Sequence, residues 1–245
     1  MLTRVLKQTA CRLFFFLVGA SVASAASLGV SPVRVTLSDS QKMSTITITN
    51  RGIGPVIMQM ELYSWSQRDN EDVLTATREV LANPPIFTVP AGDSQLVRLG
   101  LRRATDPKRE LTYRVIMREL PPPPDPNLNG ARMLLELSIP VFVLPKTTLK
   151  PALLWQAVHT PDGGLKLSLS NIGSVHIQIS RLKLLLPGSL QPLTLESSRY
   201  VLPGQIGDFF LPFNSENPIP SPGATIQISA QTDVGDFENE VVISP

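Results

Sequence analysis

Apolar and polar residues alternate along most of this chain with the two-residue period of β-strands, and long helical periodicity is absent. Thr45, Thr47 and Thr49 alternate with Ile46 and Ile48, which predicts a strand with one wet face and one buried face. The same reading predicts strands over 29–36, 43–49, 56–63, 86–89, 94–101, 111–120 and 133–144 in the first half. In the second half it predicts strands over 153–158, 165–170, 177–186, 205–213, 224–231 and 240–243. Turn chemistry separates them at Asn50-Arg51-Gly52, Pro90-Ala91-Gly92-Asp93, Pro161-Asp162-Gly163-Gly164 and Pro187-Gly188. Seven strands in about 120 residues match one immunoglobulin-like sandwich. After a linker over 146–151, about 95 residues remain for a second, smaller sandwich. The expected fold is all-β, and the halves share no sequence repeat beyond this texture.

One stretch departs from alternation. From Met133 to Leu144 the predicted strand is apolar on both faces: Met133, Leu135, Leu137, Ile139, Val141 and Val143 on one, Leu134, Phe142 and Leu144 on the other. Glu136 is its only charge. Such a strand must be covered on both sides. Either it is central in its own sandwich, or it is an edge that a partner covers by pairing with it. The residues alone leave both arrangements open. The preceding loop carries Pro121-Pro122-Pro123-Pro124-Asp125-Pro126, a stiff spacer of polyproline geometry that could hold the strand away from the sandwich.

The remaining composition narrows the function. Arg4, Lys7 and Arg12, an apolar run from Leu13 to Val22, and Ala23-Ser24-Ala25 make residues 1–26 a signal peptide by pattern. Cys11, the only cysteine, falls inside it, so the exported chain is expected to stand without disulfides. Loss of the three basic residues turns a net charge of +2 into about −1, which argues against a nucleic-acid partner. No enzyme constellation is present. His159 and His176 have no second ligand at metal spacing and read as a turn-flanking and a strand residue. Asp69, Glu71 and Asp72 read as a solvated loop. No catalysis, cofactor or metal is expected. A secreted structural or adhesive β-sandwich surface protein is the rival to a binding protein. Two tryptophans and three tyrosines leave little for a sugar platform, and the chain enters its first strand without room for a donor extension.

Several motifs together resemble a known family. Asn83-Pro84-Pro85-Ile86-Phe87 with Pro90-Ala91-Gly92 and Gln95-Leu96-Val97-Arg98-Leu99, then Tyr113 to Pro122 (YRVIMRELPP), then Ser31-Pro32-Val33-Arg34, are similar to the periplasmic chaperones of the chaperone–usher pilus pathway. Trp65-Ser66-Gln67 and the run Leu137 to Val143 are more similar to the archaic branch that serves spore-coat-U-type and Csu-type pili. The resemblance implies two immunoglobulin-like β-sandwich domains in a boomerang arrangement, 27–146 and 147–245, located in the periplasm. It implies a donor G1 strand over about 132–144 that complements pilin subunits with an incomplete immunoglobulin-like fold, and an outer-membrane usher that receives them.

By position, Met133, Leu135, Leu137 and Ile139 would enter the subunit's groove, and Arg34 would hold its C-terminal carboxylate. The family's second anchor is a lysine, where this chain has Pro140; Arg98, Arg118 and Lys146 are the candidate substitutes. Pro140 is expected to interrupt the ladder, concentrating strand lending on 133–139. Glu119 matches the acidic member of the family's inter-domain salt bridge, but Leu144 stands at the basic position, so apolar contact is expected to orient the domains. Self-association of the free protein is left open.

Overall fold

The computed structural model describes residues 28–121, 133–146, 151–161, 164–211, 213 and 219–245. The signal segment, most of the proline loop and most of the linker lie outside the described residues. The first domain holds β1 (Leu28–Ser31), β2 (Val35–Leu37), β3 (Met43–Asn50), β4 (Val56–Arg68), β5 (Glu71–Ala76), β6 (Val80–Asn83), β7 (Ile86–Val89), β8 (Ser94–Leu101), β9 (Leu111–Leu120) and β10 (Glu136–Val143). They form one sheet in the order β1-β3-β8-β6 and a second in the order β2-β10-β9-β4-β5, with β7 also on β4. Ile46, Ile48, Met58, Tyr113 and Val141 are among the side chains buried between the sheets. Each such burial contributes about 1.5–3 kcal/mol.

Three differences from the sequence reading have local causes. The single strand expected over 29–36 is two strands on different sheets, β1 against β3 and β2 against β10. Pro32, which lacks an N–H, stands at the break. The strand expected to end at Tyr63 runs to Arg68 and turns back as β5. The turn is Asp69-Asn70, both at positive φ (51° and 69°), a two-residue hairpin without the usual glycine signal. Asp69, Glu71 and Asp72 are therefore exposed as expected, but as a hairpin tip and its strand rather than a loop throughout. β5 and the short β6 escaped the pattern because β5 buries no face of its own.

The second domain is β11 (Leu153–His159), β12 (Leu165–Asn171), β13 (Ile177–Leu185), β14 (Leu193–Val201), β15 (Ile206–Phe210), β16 (Thr225–Thr232) and β17 (Gly235–Ser244). They run β14-β13-β16-β17-β11-β12-β15 around a separate core that includes Leu167, Leu169, Ile179 and Ile228. β14, which the pattern missed, is an edge strand with no fully buried side chain before Val201.

The halves do share a repeated corner. Asn50 donates through Nδ2 to the Gly54 and Val89 carbonyls, and its Oδ1 accepts the Gly52 N–H. Asn171 does the same with Val175, Val201 and Gly173. Each asparagine's own backbone bonds a second glycine turn, Gly92 or Gly204, at φ 78° and 76°. An Asn-x-Gly is short enough to hide in β texture, yet here it satisfies a buried amide and four backbone groups in each domain.

Candidate interaction edge and interdomain cleft

β10 lies against β9 along its whole length, in antiparallel register from Glu136↔Arg118 to Val143↔Leu111. Its other edge is paired only at the end, by parallel β2 from Val141↔Val35 to Val143↔Leu37. From Glu136 to Pro140 that edge has no partner strand among the described residues. Leu144 N–H donates to the Leu37 carbonyl on this edge, while the Leu135 carbonyl accepts from Glu119 on the β9 side. With a period of two, the backbone N–H and C=O of Glu136 and Ser138 point to the open edge. The Pro140 nitrogen points there too, so the β9 ladder runs through it unbroken. The missing N–H of Pro140 therefore falls on the open edge rather than in the β9 ladder.

The strand expected over 133–144 is strand only from Glu136 to Val143, and the odd-numbered side chains grade from the residues just before it into its buried end. Met133 is 93% exposed, Leu135 and Leu137 are half-buried, and Ile139 is 4% exposed inside the first domain's core. Glu136 sits between them, held by Arg118 at 2.6 Å. Arg118 also pairs with Glu61, and these partners hold its guanidinium charged.

Extending the β10–β2 register by one residue sets Arg34 beside Pro140 on one side. Arg114 is beside Pro140 on the other. Both guanidiniums approach the Tyr200 ring of the second domain, at 5.6 and 5.5 Å from its centroid. Arg114 also stacks over Trp65 at 3.7 Å. Burial lowers its pKa against the opposing influence of Asp72, 3.5 Å away. Trp65, Gln67, Arg114, Arg199 and Tyr200 line a cleft of about 410 Å³ between the domains. A stacked, partly buried guanidinium with one weak carboxylate partner is well suited to a planar anion.

The predicted second anchors lie elsewhere. Arg98 projects from β8 on the opposite sheet, in register with Thr45 and Asn83. Arg118 is committed to Glu61 and Glu136. Lys146 is 3.3 Å from Asp39. Arg114 escaped the sequence reading because only the β9–β10 register puts it beside Pro140; its sole signal was its place next to Tyr113 in the matched strand.

Apolar and charged contacts together join the domains. Trp65, Phe142 and Leu202 form a small buried cluster with Tyr200. Phe142 stacks on His176 with centroids 3.5 Å apart and planes 8° apart. His176 Nδ1 donates to buried Glu110 at 2.7 Å, and Nε2 lies 3.3 Å from Asp233 Oδ2, a charge contact rather than an aligned hydrogen bond. Both ring nitrogens thus face carboxylates, which suits the imidazolium. Burial opposes that form, but Asp233 and Glu110 outweigh it and raise the pKa. Asp233 in turn is pulled down to about 2 despite its burial, chiefly by His176 and the Gln178 N–H. His176 is therefore an interdomain residue preceding β13. Glu119, the expected salt-bridge acid, instead accepts the Leu135 N–H at 3.2 Å within its own domain. The β4–β5 hairpin adds a polar clasp. Gln67 donates to the Tyr200 carbonyl at 2.9 Å and accepts the Leu202 N–H at 3.0 Å, and Asn70 accepts the Asp208 N–H at 2.8 Å.

Residues 27–149 match the family described as pili and flagellar-assembly chaperone, PapD N-terminal domain, which covers half of the chain. The chain belongs to this family. A curated member of similar sequence is the probable fimbrial chaperone YadV of Escherichia coli K12, 29% identical over 136 residues, 54% of each protein. The chain thus spans about half the length of the curated relative it matches. Among solved structures, a chain of the CsuC–CsuE chaperone–tip adhesion subunit pre-assembly complex from archaic chaperone–usher Csu pili of Acinetobacter baumannii superposes with TM-score 0.69 at 21% identity, covering 90% of this chain and all of that one. The E. coli chaperone DraB superposes with TM-score 0.61 at 20% identity, covering 88% and 97%. These likenesses extend the family's two-domain fold over the second half, beyond the matched segment. Among the described residues no cluster of three or more His, Cys, Asp or Glu side chains could hold a metal ion.

Proposed function

We propose that this pilus-chaperone family member binds, in the periplasm, pilus subunits that lack a strand and carries them to an outer-membrane usher. The observation that supports it best is the unpaired edge of β10 from Glu136 to Pro140, beside a row of apolar side chains that emerges from the core. A long apolar edge left open invites aggregation, so its retention favours use by a partner strand. Glu136 and Ser138 supply the backbone groups for that pairing. Met133, Leu135 and Leu137 supply the side chains, with Ile139 as the fixed base of the row. Arg34 and Arg114, on either side of Pro140, form the clamp for the subunit's terminal carboxylate. Bidentate guanidinium contacts would set the register of the incoming strand. The clamp takes its second cation from β9 because Pro140 cannot provide one.

Replacing Leu135 and Leu137 together by Asp tests the reading. Subunits co-expressed from the neighbouring reading frames should no longer copurify, while the chaperone keeps its cooperative unfolding. Capture that persists in the folded double variant would sink strand lending by these residues.

A further inference from the structure

Arg34, the proposed anchor, is already engaged. Its guanidinium donates to three acceptors, all on the second domain: Asp233 Oδ2 at 2.6 Å, Gln178 Oε1 at 2.5 Å and the Tyr200 hydroxyl at 3.1 Å. Asp233 is itself supported. Its Oδ1 accepts the Gln178 N–H at 2.8 Å, and its Oδ2 also faces His176. His176 ends on Glu110 of the first domain. Signs alternate along this line, from Glu110 to His176 to Asp233 to Arg34, and its two ends belong to the first domain while its middle belongs to the second. The ring faces around it, Phe142 and Tyr200, carry no charge into it.

We propose that Asp233 is an internal competitor for the anchor: a carboxylate of the chaperone's own second domain that a client's terminal carboxylate displaces from Arg34, which unfastens one end of the interdomain latch. This rests on the reading of Arg34 as the anchor. Both terminal nitrogens of Arg34 are occupied, so a bidentate client carboxylate cannot dock without taking a place now held. Asp233 is not stranded by the exchange, because the Gln178 N–H and His176 remain to it. A salt bridge that was only structural would leave a buried, unpaired charge when broken. Arg34 can move without unravelling a strand, since it lies in the connection between β1 and β2 with its side chain 34% exposed. Capture is thereby coupled to the domain contact, and a client without a free terminus gains nothing from the exchange.

The test uses the full chain and two synthetic peptides of alternating apolar residues, identical except for a free or an amidated C-terminus. Asp233→Asn removes the competing charge at nearly constant shape. It should tighten the acid peptide roughly tenfold, the worth of one charged hydrogen bond, and leave the amide unchanged. Arg34→Ala should abolish the preference for the acid. Acid affinity that stays the same or falls in Asp233→Asn, with Arg34→Ala still abolishing the preference, overturns the competitor and spares the anchor. A preference that survives Arg34→Ala overturns the anchor reading and the proposal with it. The unsubstituted protein gives an independent reading. Saturation with the acid peptide should raise the His176 titration midpoint in proton NMR, because the Arg34 cation no longer shares Asp233, and the amide peptide should not. An unmoved midpoint overturns the exchange.

Discussion

From Val141 to Val143, β10 is a central strand with β9 on one edge and β2 on the other; from Glu136 to Pro140 it is an edge strand. Both halves are rich in apolar residues. The closed half buries Val141 and Val143 in the first domain's core and Phe142 against the second domain. The open half leaves Leu137 half-covered, and the residues leading into it leave Met133 and Leu134 in solvent and Leu135 half-covered. The comparison teaches that an apolar pattern states how much cover a strand needs, not which molecule supplies it. β2 is three residues long and parallel to β10, and where it begins, at Val35 opposite Val141, decides the matter.

The comparison breaks most visibly at Val141. Val141→Asp places an unpaired carboxylate at a fully buried site and should destabilise the first domain by about 4 kcal/mol or more, read by denaturant unfolding. Met133→Asp, at the opposite end, should leave the unfolding midpoint in place. A comparable loss at both positions would mean that the open half is not open. At the border, Arg114→Ala should lower subunit copurification roughly tenfold, the effect of one charged contact, with the β9–β10 pairing intact. Undiminished yield would leave Arg34 to work without it.

Acidity sharpens the comparison further, because Phe142 in the closed half packs on His176. A group whose pKa is raised on folding contributes stability that is complete below its ordinary value, 6.5 for His176, and is lost as pH rises through the folded value. Asp233 behaves oppositely: its contribution is complete above its ordinary 3.8 and is lost as pH falls toward about 2. The latch should be strongest between those limits. Thermal unfolding at rising pH should show stability that holds up to the ordinary value of 6.5 and declines above it, and His176→Gln should flatten that decline. A parallel decline in both proteins would assign it to other groups. The smallest effect is expected at the hairpin clasp. Gln67→Ala removes two part-buried hydrogen bonds and should cost about 1–2 kcal/mol of domain docking, seen as faster hydrogen exchange at the Leu202 N–H. Unchanged exchange would show that the apolar cluster carries the docking alone.

Much of the architecture was legible in the chain. Threonine–isoleucine alternation marked β3, the Asn50-Arg51-Gly52 turn marked its C-terminal end, and the two cores follow from the period-two pattern. The misses share a cause. β5 and β14 bury little of themselves, so no hydrophobic signal marks them, and pairing across a turn or along an edge creates them. Arg34 stood out by its motif. Arg114 did not, because a residue's neighbour across a sheet depends on register rather than on sequence distance.

The sequence by itself determined that this is an all-β chain of two sandwiches, that the strand after the proline loop needs cover on both faces, and that no catalytic constellation accompanies it. Alternation and turn chemistry are local, so one strand of text suffices to state them. Only the tertiary structure decided where β2 begins, that Pro140 turns its nitrogen to the open edge, that Arg34 and Arg114 flank it, and that Glu110, His176, Asp233 and Arg34 form one line across the domains. Each of those depends on which residues from distant strands become neighbours, and that is set by register and by domain packing.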